Sequence, residues 1–441
     1  MRARRAGTGS PALELPPRSF LFLQGPQSFF FERVARALIA RGHRVHRINL
    51  NLADRLFWRL PAIDYRGRFE AWPGFVGVLL DEWRVTDLLL LGDRRPYHSA
   101  AIEEARARGF AVFVTDLGYL RPDWLTLEAD GMTSRSGFPR EPEAVRALAG
   151  HFPEPELAPR FANPFWRLAL HDIAYHVTAA LGRPLYPHYR RHGLYHPFAE
   201  YAGWLRNAPR RLLVRRATGA AKARLAAELG SYFLYPLQLA TDFQLRAESP
   251  FADACEALSV VLGSFGASET GRRLVVVGHP LDEGLIDWRR QVRASGLGER
   301  AVFLGGGVPD ALLAGAAGVV TLNSTVGLTA LRLGVPVKTL GAAIYDVAGL
   351  THRGELAGFW HDPHPPDATL VAAFVRALAG ATQVKGGYHT RAAQDHALPI
   401  FVERLEKRVH LPAKSARHSR ESGSPGGGQL SGCPGFPLSR E

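Results

Sequence analysis

Five short clusters in this 441-residue chain place polar side chains where a hydrophobic run ends. The run Arg273-Leu-Val-Val-Val ends at Gly278-His279-Pro280, where a ring N–H fixed by the following proline could donate to a phosphate oxygen. The other reading of His279 is a loop histidine capping a backbone group. Asn323-Ser324-Thr325-Val326-Gly327 lies between a β-like and a helix-like run. Hydroxyls and backbone N–H groups at such a helix start can hold an anion with help from the macrodipole, or simply cap the helix. In Thr115-Asp116-Leu117-Gly118 a carboxylate ends a strand and could act as base or as nucleophile toward an anomeric carbon. A helix cap, or a partner for Arg121, is the alternative for Asp116. Gly92-Asp93-Arg94-Arg95-Pro96-Tyr97-His98 suits an anionic or sugar acceptor, or forms a surface Asp–Arg pair of little energetic weight. Gln238, Asp242 and Gln244 follow another run and suit ribose, base or sugar hydroxyls, or a polar hinge.

The elements that must position these clusters alternate along the chain. Short apolar runs at 19–23, 44–50, 88–91 and 111–114 read as strands, with helices at 28–40 and 99–108 between them. A second series follows, with strands at 232–237, 273–277, 301–304, 318–322 and 335–340. Ser249-Pro250 reads as a cap with proline at the first helical position, opening a helix to about residue 263. Closing helices are expected over 367–379 and 392–409. Alternating β and α segments predict parallel sheets flanked by helices, and ligands then sit beyond the carboxyl ends of the strands.

The expected organisation is a loose leader over 1–18 and an acceptor-side Rossmann-like domain over 19–208. The latter carries a helical excursion over 163–208, rich in aromatics and histidines. A nucleotide-sugar-binding domain follows over 209–385, then a crossover helix over 386–411. The tail at 412–441, with Ser422-Gly-Ser-Pro-Gly-Gly-Gly, reads as disordered because it cannot bury enough apolar surface to offset its ordering entropy. Two open α/β domains with a helix that returns to the first is a GT-B-like architecture with a cleft between the domains. Two periplasmic-type lobes would read similarly, and the pattern alone gives no function.

Lys plus Arg outnumber Asp plus Glu by 54 to 41, a net charge of +13 that suits an anionic partner. No Walker loop, no G-x-G-x-x-G after the first strand, no H-E-x-x-H and no G-x-S-x-G is present. Histidines lack a repeated ligand spacing and no RRM or zinc-finger signature occurs, so neither a metal nor nucleic acid is expected. No run of about 18 apolar residues occurs and no signal-type stretch precedes Pro16-Pro17, which reads as cytoplasmic. Attachment to an anionic membrane face would then be peripheral and electrostatic. Arginines over 183–216 are the candidates, with Tyr186, Tyr189, Tyr195 and Trp204 at the headgroup level or packed inside.

In their order the clusters resemble the capsular polysaccharide biosynthesis family of KpsS/LipB type, Kdo transferases that start a lipid-linked capsule terminus. The likeness runs from about Phe20 to Val409 through Phe20-Leu-Phe-Leu-Gln24-Gly25-Pro and Gly42-His-Arg-Val-His-Arg-Ile-Asn. It continues through Gly92-Asp-Arg-Arg-Pro-Tyr-His, Gly118-Tyr-Leu-Arg-Pro-Asp-Trp-Leu-Thr-Leu-Glu, His279-Pro-Leu-Asp, Asn323-Ser-Thr-Val-Gly-Leu and Ala343-Ile-Tyr-Asp346. It implies a metal-independent GT-B glycosyltransferase without cofactor. Such an enzyme would move Kdo from CMP-Kdo to a lyso-phosphatidylglycerol or phosphatidylglycerol at the inner membrane, alongside other capsule assembly proteins. The acidic-X-Gly, His-Pro and Ser-Ser/Thr motifs of bacterial sialyltransferases, which are similar in logic, match Asp116-Leu-Gly118, His279-Pro280 and Ser324-Thr325. By that carry-over His279, Pro280, Ser324 and Thr325, with Gln238 and Asp346, hold the CMP-sugar, and Asp116 acts at the sugar carbon. Gln24, Gly25, Asp93, Arg95, His98 and Arg121 would face the acceptor. A non-catalytic capsule assembly or export factor, or a transferase for another nucleotide sugar, are the competing readings.

Overall fold

The computed structural model describes residues 16–162, 164–191, 197–239, 248–282 and 284–408. Most of the leader, Tyr195, Asp242, Gln244 and the tail fall outside them. In chain order the first series is β1 (Ser19–Phe22), α1 (Phe30–Ala40), β2 (Arg44–Asn49), β3 (Ile63–Asp64), α2 (Trp72–Glu82), β4 (Asp87–Leu91), α3 (Pro96–Ala107), β5 (Ala111–Leu117), β6 (Trp124–Ala129) and α4 (Pro142–Ala149). Two long helices follow, α5 (Phe165–Leu181) and α6 (Pro197–Ala227). The second series is β7 (Tyr232–Pro236), α7 (Ala254–Gly266), β8 (Arg273–Val277), α8 (Trp288–Ala294), β9 (Ala301–Leu304), α9 (Asp310–Ala314), β10 (Gly318–Thr321), α10 (Thr325–Arg332), β11 (Val337–Thr339) and α11 (Leu356–Phe359). The chain closes with α12 (Ala368–Thr382), β12 (Gln383–Lys385) and α13 (Arg391–Lys407).

Two sheets result, and both follow the same Rossmann order. The second runs β11-β10-β7-β8-β9, all parallel. The first runs β12-β6-β5-β4-β1-β2-β3, parallel from β5 to β3, with β6 antiparallel between β5 and β12. In each, strand order reverses beside the first strand, at β1/β4 and at β7/β10, which is where open α/β sheets bind ligands. Together with the returning C-terminal helix this is the GT-B-like arrangement.

The apolar runs 20–22 of β1, 88–91 of β4 and Tyr232–Pro236 of β7 are what a sheet covered on both faces requires. Phe20 and Phe22 point to a core completed by α1 and by Ala397, Phe401 and Leu405 of α13. Leu21 and Leu23 point the other way, to Trp72, Val76 and Leu80 of α2 and Ala101 and Ile102 of α3. In the second sheet Leu234, Val275 and Val319 face Leu370, Phe374 and Leu378 of α12. Phe233, Val276 and Val320 face Leu258 and Phe265 of α7 and Trp360.

Several boundaries differ from the sequence reading. Residues 383–385, expected in the second domain, pair antiparallel with β6, so the chain re-enters the first sheet before residue 386. Lys385 ties that strand down, with Nζ 2.9 Å from Asp123 Oδ1. The expected division at 208/209 lies inside α6. Helix α7 starts at Ala254, not at Pro250: Asp253, at φ −155° and ψ 177°, accepts from the backbone N–H of Cys255 and Glu256. Tyr186 and Tyr189 of the excursion turn inward. Tyr186 is buried, and Tyr189 stacks on Tyr97 with ring centroids 5.8 Å apart. The side chain of Trp204 lies outside the described residues.

Candidate active site

The His279 loop is held from below. Gly278 N–H donates to Leu304 O and Gly307 N–H to Gly278 O, each at 2.8 Å, joining the loops that follow β8 and β9. Gly307 adopts φ +74°, and a Cβ there would stand 2.7 Å from Pro280 Cγ, so glycine alone allows this approach. Lys222 of α6 donates to Gly305 O and Gly307 O at 2.5 and 2.6 Å. At His279 itself the backbone N–H of Leu281 donates to Nδ1 at 3.1 Å. The ring proton therefore sits on Nε2, which can donate outward. Burial, and then the charge of Arg121, lower its pKa to about 4, so the ring is neutral at physiological pH.

The other second-domain cluster lies at the β7/β10 reversal. Gln238 Nε2 donates to Asn323 Oδ1 at 2.8 Å, so two strand ends meet through one amide pair. Ser324 caps α10, its Oγ accepting from Val326 N–H at 3.3 Å, which leaves the hydroxyl hydrogen to donate elsewhere. Thr325 is the first helical residue. Tyr345 braces this start by donating to Ser324 O at 2.5 Å, in space that a Cβ on Gly327 would fill at 2.2 Å. Asp346, next in sequence, turns its carboxylate to the Thr351 hydroxyl at 2.6 Å and to Arg353.

On the opposite side Asp116 is the last residue but one of β5, beside the glycine that follows β4. A Cβ built on Gly92 would be 3.8 Å from Asp116 Oδ2 and 4.0 Å from Arg95 Nε. Asp116 Oδ1 accepts the Leu117 N–H at 2.7 Å. Burial raises the carboxyl pKa above its ordinary value, against the Leu117 N–H and the charges of Arg95 and Arg121. Tyr388, returned by β12, donates to Asp116 O at 2.9 Å and meets the Thr115 hydroxyl at 2.7 Å. Arg121 acts electrostatically on Asp116, on Tyr388 and on His279. The Arg121 charge thus reaches groups at the ends of β5 and β8.

The remaining residues expected to face an acceptor lie within the packing of the first domain. Gln24 Nε2 donates to both Asp54 oxygens, at 3.0 and 3.1 Å, and to the Tyr175 hydroxyl at 3.0 Å. A Cβ on Gly25 would strike the Phe31 ring at 2.3 Å. Asp93 is buried and accepts from Met132 N–H at 3.3 Å. His98 is buried, donates from Nδ1 to Gly92 O at 2.9 Å, and is lowered by burial to a pKa of about 3. Three of the six act on the Asp116 carboxyl by charge: Arg95 and Arg121 lower its pKa and Asp93 raises it.

Three features escape sequence reasoning. Arg94 donates to Glu248 at 2.7 Å, and Arg140 to Ala343 O at 2.7 Å, latching first-domain loops to the second domain. Tyr388 reaches Thr115 only because β12 returns. Glu128, which ends the quoted Thr-Leu-Glu stretch, is a buried carboxyl whose pKa burial raises to about 7. Among the described residues no group of three or more His, Cys, Asp or Glu is placed to hold a metal ion. None of their helices is long and apolar enough to cross a membrane.

A family model described as capsule polysaccharide biosynthesis protein matches residues 86–389. The chain is 32% identical over 382 residues to the capsule polysaccharide export protein KpsS of Escherichia coli, covering 85% of this chain and 98% of that protein. It is 30% identical over 385 residues to the capsule polysaccharide modification protein LipB of Neisseria meningitidis, covering 85% and 92%. Among solved structures it is similar to Thermosulfurimonas dismutans KpsC, beta Kdo 2,7 transferase, at a TM-score of 0.42 and 14% identity over 88% of this chain and 100% of that one. The chain belongs to the capsule polysaccharide biosynthesis family.

Proposed function

We propose that this member of the capsule polysaccharide biosynthesis family is a metal-independent glycosyltransferase. In this reading it moves Kdo from CMP-Kdo to the headgroup hydroxyl of a lyso-phosphatidylglycerol or phosphatidylglycerol at the inner membrane. The observation that carries it is Arg121, whose charge acts on a carboxyl of one domain and a neutral histidine of the other. That is the arrangement a group transfer between two bound substrates needs.

The donor phosphate would take the His279 Nε2–H, the Ser324 hydroxyl and the N-terminus of α10, with Thr325 beside it. These groups can stabilise the phosphate charge that grows as CMP leaves. The Gln238–Asn323 pair supports the nucleoside, and Asp346 holds the turn next to it. Asp116 acts at the sugar carbon. Burial makes it a stronger base than a solvated carboxylate. In an inverting transfer it accepts the proton of the acceptor hydroxyl while the bond to CMP breaks. In a retaining transfer it first bonds to the anomeric carbon as CMP leaves; the acceptor oxygen then displaces it, and the acceptor proton passes to the released carboxylate. Arg95 and Arg121 would neutralise an anionic headgroup. No cofactor is required.

A panel of CMP- and UDP-sugars with phosphatidylglycerol, read as nucleotide release and as product mass, tests the reading. CMP release with Kdo-lipid formation supports it. Release from another donor alone replaces the donor, and no release from any donor favours the assembly or export role that the name of the Escherichia coli relative describes. The anomeric configuration of the product assigns Asp116 as base or nucleophile.

A further inference from the structure

The helix α5 is amphipathic in the inverted sense. At about 100° per residue, Trp166, Leu170, Ile173, Val177 and Leu181 fall within an arc of about 80°. All five are exposed, Trp166 at 61% and Leu181 at 73%. The opposite edge carries Tyr175, whose hydroxyl donates to Asp54 at 3.0 Å and accepts from Gln24 and from Asn51 Nδ2 at 3.0 and 2.9 Å. The polar edge is turned into the domain and the apolar edge to the outside. The helix is fixed in that orientation, since a Cβ on Gly182 would stand 2.2 Å from Leu52 Cβ. A contiguous exposed apolar stripe on an ordered helix marks an interaction surface.

We infer that this stripe is a membrane-insertion face, and that its occupant is an anionic phospholipid bilayer. Charge complementarity selects the occupant. Residues 164–227 hold eleven Lys and Arg against two Asp and Glu, a balance of +9 within a chain of +13. Arg167 lies over the Trp166 ring at 5.1 Å, and Arg183 at the helix end is exposed. An aromatic and a cation at the edge of an apolar stripe suit the boundary between headgroups and acyl chains, where such a helix lies in the plane of the interface. A surface-parallel α5, 17 residues long, would span about 26 Å of bilayer surface.

Its placement also bears on the candidate site. Tyr175 reaches Gln24 and Asn51, just past the carboxyl ends of β1 and β2, so the stripe lies over the acceptor side of the first sheet. Attachment is therefore part apolar insertion, part electrostatic, and not the purely electrostatic contact that composition suggests. The inference stands whether or not the acceptor is a lipid, and its test uses no donor.

The full chain is floated with vesicles of phosphatidylglycerol and phosphatidylcholine, and with phosphatidylcholine alone. Wild-type protein should float with the anionic vesicles, retain part of that binding at high salt, and show a blue-shifted tryptophan emission that Trp166→Phe abolishes. Leu170→Glu with Ile173→Glu should weaken binding at least about tenfold at unchanged melting temperature. Because both side chains are exposed, the variant keeps its core. No flotation, or binding that salt removes and the double variant leaves unchanged, overturns the insertion face. So does a wild-type dimer that the same variant dissociates, since a second copy then covers the stripe.

Discussion

The Arg121 guanidinium of the first domain acts on the His279 imidazole of the second, adding to burial in holding that ring neutral down to about pH 4. The same charge opposes burial at Asp116. Removing it should raise both pKa values: a neutral imidazole loses a reason to stay neutral, and a carboxylate loses a counter-charge. Arg121→Gln should therefore move the acid limb of kcat/KM to higher pH. A pH profile that keeps its limb while activity falls would detach Arg121 from Asp116.

Asp116→Ala should cut transfer about 100-fold or more and leave the melting temperature near that of the wild type. The carboxyl accepts the N–H of its own neighbour Leu117 at the strand's exposed end, while the core below is made by Val112 and Val114. Initial-rate assays beside a thermal melt check this. Full activity in the variant removes Asp116 from the chemistry.

His279→Ala should weaken CMP binding by about 10- to 100-fold, the worth of a charge-assisted hydrogen bond of ~1.5–3 kcal/mol. Titration calorimetry with CMP reads it. The linkage sign follows from the lowered pKa. The unfolded ring takes its proton near ~6.5 and the folded one near 4, so His279 contributes to a loss of stability as pH falls through that window. The alanine variant should lose less stability than the wild type on going from pH 7 to pH 5.

The local geometry of the second-domain candidate site was largely legible for the described residues, because its parts are local. A valine run names β8, the residues after it name the loop, and a Ser-Thr pair before an apolar helix names a cap. The first-domain site was less so. Asp93, His98 and Gln24 have the right types at strand ends, but packing turns them inward, and no spacing rule reports which way a loop side chain turns. Tyr388 and β12 were hidden for a different reason. The pairing of Gln383 with Thr126 spans most of the chain, and short strands contributed by such returns carry no pattern of their own. At the start of α7 both Ser249 and Asp253 are cap types; the extended backbone at Asp253 decides between them.

Glu128 should make stability fall with rising pH. Its carboxyl is buried on β6, accepts from Ser136, and has a pKa raised by burial to about 7. A raised folded pKa contributes stability that is present below the unfolded value of ~4.3 and lost as pH passes the folded one. Glu128→Gln keeps the shape and cannot ionise. It should match the wild type at pH 4.5 and exceed it at pH 8 by up to about 3 kcal/mol. Urea melts at the two pH values measure the difference, and equal gaps at both would show that Glu128 titrates normally.

The crossover itself is testable at Asp123 and Lys385. Asp123 Oδ1 lies 2.9 Å from Lys385 Nζ, and Oδ2 accepts from the N–H of Arg160 and Phe161 at 2.6 and 3.0 Å. Lys385 also donates to Ala158 O at 2.8 Å, and both side chains are buried. Burial alone would raise the Asp123 pKa, but the bonds from Lys385 and the two N–H groups outweigh it and hold it below the usual range. Breaking such a pair from one side leaves a buried charge without its partner, at a cost of about 3–5 kcal/mol. Asp123→Ala should therefore destabilise the protein by that order. Lys385→Met should cost less, since the Asp123 carboxylate keeps two backbone donors and a methionine fills the space over Trp124. The linkage sign adds a second readout. A lowered carboxyl pKa contributes stability that is present above the unfolded value and lost as pH falls through the folded one. The gap between wild type and Asp123→Ala should therefore narrow on acidification below about pH 4. A gap that is small at pH 7, or that does not narrow in acid, would mean that β12 is held to the first sheet by the backbone alone.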